Sequence, residues 1–338
     1  MRHAAGRLAA VAFAAALAAP GPAPSRVDLP GGAPGIGFDD LRFADGLRRL
    51  LVPGGRSGNL FLVDPTNGSV AAIPGFTAKS TFGGGHDDSV TSADEGAGFV
   101  FASDRSARVV AVVDPAVRKI VFRAPLAAGP DYVRWCGSRQ EVWVTEPDRD
   151  RIEIFGFDKR SSALRPAGVI PVPGGPESLE IDDAAGRAYT HLWAGETVAL
   201  DLAGRAIVER WKNGCSGSRG IALDTRRRLL FAGCGEGRAT VADLAHAGKI
   251  VGSARVGGGV DVISYDPHLA HLYVPSGSTG TLNVLGVSRA GALDALRSLP
   301  TVVGAHCVVS DEHGGVYVCD PKRGRLLVFR DTFPPAGR

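Results

Sequence analysis

The sequence predicts an all-β fold, a seven-bladed β-propeller of four-stranded blades closed by an N-terminal strand that completes the last blade. Three observations predict it. The first is a recurring phrase in which a turn is followed by a polar residue and then a short apolar strand ending in a polar residue. It is clearest in Pro173-Gly-Gly-Pro-Glu177-Ser-Leu-Glu-Ile-Asp182 and returns as Gly217-Ser-Arg219-Gly-Ile-Ala-Leu-Asp224, Gly259-Val-Asp261-Val-Ile-Ser-Tyr-Asp266 and Gly304-Ala-His306-Cys-Val-Val-Ser-Asp311. Looser copies are Gly37-Phe-Asp39-Asp-Leu-Arg-Phe-Ala-Asp45, His86-Asp-Asp88-Ser-Val-Thr-Ser92 and Gly129-Pro-Asp131-Tyr-Val-Arg-Trp135, so that seven copies follow one another at a step of 42–49 residues. The second observation is that 46 Gly and 22 Pro are spread through the chain, as turn punctuation between many short strands is. The third is that no long amphipathic helical periodicity interrupts the pattern.

Taken in order, residues 1–19 read as a secretory signal peptide: Arg2, His3 and Arg7 precede an apolar run from Leu8 to Ala18. That run is far shorter than the roughly 20 residues a membrane-spanning helix needs, and no later stretch is long or apolar enough. A Pro-rich spacer (20–26), the propeller (27–331) and a C-terminal tail (332–338) follow. The expected location is the periplasm or the medium, and a monomer is expected. Without Arg2 and Arg7 the formal charge of +3 falls to +1, which argues against nucleic acid or anionic lipid as a partner. Five cysteines in an oxidising space allow two local disulfides, Cys215 with Cys234 and Cys307 with Cys319, leaving Cys136 over. There is no CxxC pair to suggest structural zinc.

Each complete unit reads as four strands. In the third they are 131–135, 141–145, 151–155 and 167–172; in the fifth, 219–223, 228–232, 238–243 and 250–256. Second strands run apolar (Val142-Trp-Val, Leu229-Leu-Phe, Leu272-Tyr-Val, Val316-Tyr-Val), as strands buried on both faces do. Turns fall at Asp64-Pro-Thr-Asn-Gly68, Asp114-Pro-Ala-Val and Asp320-Pro-Lys-Arg-Gly324. The last repeat has three strands, near 305–310, 315–319 and 325–329. The phrase Val27-Asp-Leu-Pro-Gly-Gly matches the outer-strand phrase Val169-Ile-Pro-Val-Pro-Gly-Gly, so the N-terminal strand can supply the fourth and leave no inner edge open.

The phrases Val142-Trp-Val-Thr-Glu-Pro-Asp-Arg-Asp-Arg-Ile-Glu-Ile-Phe, Leu272-Tyr-Val-Pro-Ser-Gly-Ser-Thr-Gly-Thr-Leu-Asn-Val and Val316-Tyr-Val-Cys-Asp-Pro-Lys-Arg-Gly-Arg-Leu-Leu-Val-Phe give the chain its family likeness. Over residues 27 to 331 it resembles the YVTN-repeat, or YncE-like, secreted bacterial propellers, although the literal Tyr-Val-Thr-Asn string is absent. The resemblance implies a fold. Its members bind or catalyse different things, so it implies no one chemistry.

Aligning the repeats on their apolar centres (Leu41, Val90, Val133, Leu179, Ile221, Ile263, Val308) places Asp39, Asp88, Asp131, Glu177, Arg219, Asp261 and His306 two positions earlier. All seven are charged or titratable, and the repeat geometry stacks them as a ring at one mouth of the central channel. Converging carboxylates repel one another unless a cation, or Arg219 and His306, compensates. The ring therefore suits a divalent cation such as Ca or Mg, with Asp131, Glu177, Asp261 and Asp88 as oxygen ligands, or a small polar ligand with cationic groups. Glu146 and His191, at second-strand ends, and His86, two positions before Asp88, are further candidates. Cys307 is expected to point away from His306. Trp135, Trp143, Trp193 and Trp211 read as blade packing.

Two functional classes remain. One is a binding module that holds a metal ion, a small polar ligand or a protein partner over the acidic mouth. The other is a hydrolase, lactonase or lyase at the same place. Resemblance to gluconolactonase-like propellers implies a cation that polarises a carbonyl or activates water, with His306 as base and Arg219 as oxyanion partner. The ring has no Asn ligand, and seven blades depart from the six usual there.

Overall fold

The computed structural model describes residues 24–86 and 88–336; the proposed signal peptide lies outside the described residues. Seven four-stranded antiparallel sheets follow one another, the first six running in sequence order from the channel outward. Blade 3 comprises Val133–Cys136, Glu141–Glu146, Arg151–Asp158 and Ala163–Pro171, and blade 5 comprises Ser218–Asp224, Leu229–Cys234, Arg238–Asp243 and Lys249–Arg255. Closure is as expected. Ser25–Asp28 pairs with Arg325–Arg330, Val27 opposite Leu326, and completes the seventh blade. The strand takes up Ser25 and Arg26, which sequence reading placed in the spacer.

Burial follows the position of each strand in its blade. Second strands are covered on both faces, and Glu141–Glu146 and His271–Ser276 are buried throughout. Outer strands alternate, as in Lys119–Pro125, with one face packed and one in water. Between the third and fourth strands of blades 2 to 6 the register slips once, at equivalent places such as Ile154/Phe155 and Val241/Ala242. Such bulges raise the local twist a propeller blade requires. The Asp that closes several repeat phrases is a turn residue: Asp182, Asp224, Asp266 and Asp311 accept backbone N–H groups two or three residues on.

Cys215 and Cys234 form a disulfide. Cys307 and Cys319 do not, although they lie side by side, and Cys136 is free and buried. The tail is not loose at its start. Asp331 takes hydrogen bonds from His271 and Tyr273, and the Ala336 N–H donates to Leu269 O. Among the described residues no helix is long and apolar enough to cross a membrane.

Candidate functional site

Outside blade 5, whose inner strand Ser218–Asp224 contains Arg219, the innermost strands begin later than the repeat phrase suggests. In blade 3 the Asp131 N–H is tied to Thr145 O at 2.9 Å and the Tyr132 N–H to Thr145 Oγ1 at 2.8 Å, so both precede the regular ladder at Val133. The ring residues other than Arg219 thus stand on short entry segments at the channel mouth. Asp39, His86, Asp261 and His306 meet there. His86 Nδ1 is 3.5 Å from Asp39 Oδ2, and its Nε2 is 3.7 Å from Asp261 Oδ2. His306 Nε2 is 4.0 Å from the same Asp261 oxygen, and the two imidazole rings are 5.3 Å apart. Asp131 pairs with Arg105 at 2.9 Å, and Glu177 with Arg219 at 3.0 Å while accepting from the Trp193 indole.

The loop before blade 2 brings His86 in. Gly37 permits it: a Cβ there would lie 2.2 Å from Gly85 O and 3.0 Å from His86 Cα. Arg56 fixes the facing loop by donating to Gly35 O at 2.5 Å and to Gly31 O at 3.2 Å.

The mouth is under electrostatic load. Burial raises the Asp39 carboxyl above its ordinary range, and the nearby Asp261 and Asp40 add to this. Burial, then Asp39 and Glu177, lift Asp131 well above it. Burial pushes Glu177 up to about 8 in spite of Arg219. The Asp39 charge, more than any other group, raises His86 to about 10. Three buried atoms at this point make no hydrogen bond: Asp39 Oδ2, His86 Nδ1 and Asp261 Oδ2. The ligand atoms of these three residues lie within 4.8 Å of one another, close enough to share one ion.

Several expected site residues are elsewhere or otherwise engaged. Asp88 turns to Lys79 in the entry loop. Ser89, in the left-handed region at φ 64°, redirects the chain just there, and His86 occupies the place expected for Asp88. Glu146 is buried, bound to Arg151 and to the Ala128 N–H. Arg219 is committed to Glu177. His306 is no base: Nδ1 faces Gly304 O at 2.7 Å and Nε2 faces Phe38 O at 2.9 Å. Carbonyl oxygens only accept, so with both contacts made both nitrogens carry protons and the ring is a cation. Cys307 does approach His306, contrary to expectation, together with Cys319.

His191 is buried between blades 4 and 5. Nε2–H donates to Phe231 O at 3.2 Å and Nδ1 accepts from Thr197 Oγ1 at 2.8 Å, which defines a neutral ring. Burial lowers it to about 4. A group depressed in the folded state supports folding above its unfolded value near 6.5 and loses that support as pH falls toward 4. Wild type should therefore lose ~2 kcal/mol more than His191→Asn between pH 7 and pH 4.5. Urea unfolding at the two pH values measures this, and parallel losses would contradict it.

Below the mouth lies a second tier that the sequence reading missed. Arg134 holds Asp40 through two bonds, at 2.6 and 3.0 Å, and both are almost wholly buried. Arg42 reaches Glu180 and Asp94, each at 2.8 Å, and Ser92 Oγ donates to Asp40 at 2.6 Å. Burial alone would raise Glu180, but Arg42 and then Arg134 hold it below the usual carboxylate range. Tyr132 separates the tiers, with the Arg134 guanidinium 4.8 Å from its ring centroid. A cavity of about 160 Å³ opens beside Arg42, Arg134, Glu180 and Glu312.

No protein-family model matches the sequence, and no curated protein matches it. Solved structures do match in fold. A chain of the mitotic checkpoint complex superposes with a TM-score of 0.76 at 16% identity, covering 98% of this chain and 99% of that one. A chain of Kuenenia stuttgartiensis hydrazine synthase gives 0.71 at 12%, covering 95% and 99%. The Myceliophteria thermophila Cps50 (Swd1) β-propeller domain gives 0.71 at 12%, covering 88% and 98%. Identities this low speak for the fold alone. The chain has the fold of a seven-bladed β-propeller.

Proposed function

We infer that this propeller is an exported binding module of the YVTN-repeat type that holds one divalent cation at its channel mouth through Asp39, His86 and Asp261. One observation carries the reading: three buried polar atoms, from three blade entries, meet without hydrogen-bond partners. The three groups are held to one another only by ion pairs of 3.5 and 3.7 Å, and a divalent ion bound there would take the place of the His86 proton and face both carboxylates. The mixed nitrogen and oxygen donors suit zinc, manganese, iron or nickel better than the calcium or magnesium suggested by a ring of carboxylates alone. Asp131 and Glu177, already paired to Arg105 and Arg219, would tune the charge around the ion or hold a cationic group of a polar ligand.

Binding is favoured over hydrolysis. A hydrolase needs a base beside the ion and a free cation for the oxyanion, whereas both His306 nitrogens are held on carbonyl oxygens and Arg219 is paired with Glu177.

Elemental analysis after dialysis against zinc, manganese, nickel and calcium tests the reading. One equivalent of a first-row ion is expected, lost in both Asp39→Asn and Asp261→Asn. At a free ion concentration 100 times Kd, stabilisation should reach about 2.7 kcal/mol. No uptake by the wild type, or full uptake by both variants, would end this reading.

A further inference from the structure

We propose that blade 7 carries a second, soft-metal site, in which Cys307, Cys319 and His306 bind one copper(I) ion in a two-sulfur, one-nitrogen set. The proposal does not depend on the cation at the mouth.

Cys307 immediately precedes the inner strand Val308–Ser310, and Cys319 lies on the neighbouring strand Gly315–Asp320. The pairing Val308 with Val318 sets the two cysteines opposite each other. The Cys319 N–H donates to Cys307 O at 3.1 Å, and the Cys307 N–H donates to Cys319 Sγ at 3.2 Å, which fixes the local backbone. Cys319 Sγ is 4.0 Å from His306 Nδ1, and all three ligand atoms lie within 4.8 Å of one another. Both sulfurs are fully buried, in a cluster that includes Phe38, Val52, Phe61 and Val262.

Ligand chemistry selects the ion. Thiolates are soft donors that favour copper(I), and a dry apolar surround with three donors matches an ion content with low coordination. Zinc in a closed structural site takes four protein ligands, and this cluster offers three. The second shell is already in place. His306 Nε2–H donates to Phe38 O at 2.9 Å, which holds the ring while Nδ1 exchanges its proton and its contact with Gly304 O for the metal. Binding replaces the thiol protons and the Nδ1 proton, and the contact of Nδ1 with Gly304 O is given up. No electron is transferred. His306 also forms part of the mouth wall, at 17% side-chain exposure.

The test uses the full chain, reduced and under argon, competing for copper(I) against bicinchoninate. Wild type should withdraw one equivalent, and X-ray absorption should show two sulfurs and one nitrogen on copper. Cys307→Ser and Cys319→Ser should each weaken retention by ~100-fold with unchanged far-UV dichroism. Asp39→Asn should retain copper fully, so that failure here and failure of the mouth reading are told apart. No uptake by reduced wild type, equal uptake by the serine variants, or loss of copper in Asp39→Asn would overturn the proposal. So would a Cys307–Cys319 disulfide, found by mass spectrometry in the protein as exported.

Discussion

Replacing Arg134 by methionine should destabilise the propeller by about 3–5 kcal/mol, the cost of leaving a buried charge without its partner. Arg134 and Asp40 are among the most buried charged residues of the described chain, at 2% and 3% exposure. The Arg134 guanidinium supplies both direct bonds from arginine to Asp40, approaches Glu180 at 3.7 Å and packs on Tyr132. Without it Asp40 retains the Ser92 hydroxyl and the more distant charge of Arg42. Methionine keeps most of the volume, so the loss reads charge compensation more than packing. Urea unfolding should show a lower midpoint at unchanged slope. Adding Asp40→Asn should return at least half of the loss, because the orphaned charge goes with it. A loss below about 1 kcal/mol would mean that water screens the pair and the lower channel is open.

Removal of residues 24–29 should cost about 3–6 kcal/mol, from the burial of Val27 and Leu29 at about 1.5–3 kcal/mol each. Both are nearly covered, at 8% and 5% exposure, and both belong to the core shared by blades 7 and 1. The strand also pairs Ser25–Asp28 with Arg325–Arg330, so its loss bares a regular edge of blade 7. Such an edge is a template for pairing between chains. The shortened chain should unfold at a lower midpoint and elute as larger species at high concentration. A shortened chain with wild-type midpoint and monomeric elution would show that the ring does not need this closure.

What was legible in the sequence follows from the repeat. Residues two places before each apolar centre converge because equivalent steps in each blade face one axis, and Asp39, Asp131, Glu177 and Asp261 were placed by that argument alone. The same alignment, read one place after the centre, gives Arg42, Arg134 and Glu180, so the lower tier was in reach. Asp88 failed because the repeat rule assumes equal entry loops. The loop before blade 2 is long, and the turn at Ser89 delivers His86 in its stead. The state of His306 was beyond the sequence, because one of the carbonyls that fixes it belongs to Phe38, 268 residues away. Strand pairing also set Cys307 beside Cys319, but it could not say whether a bond joins them.

The most direct measurement of the central claim is anomalous diffraction from crystals soaked in zinc or manganese, recorded above and below the metal absorption edge. The account predicts one peak among Asp39 Oδ2, Asp261 Oδ2 and a ring nitrogen of His86. Clean density at that point, with His86 donating to both carboxylates in a fully metal-loaded crystal, would contradict it.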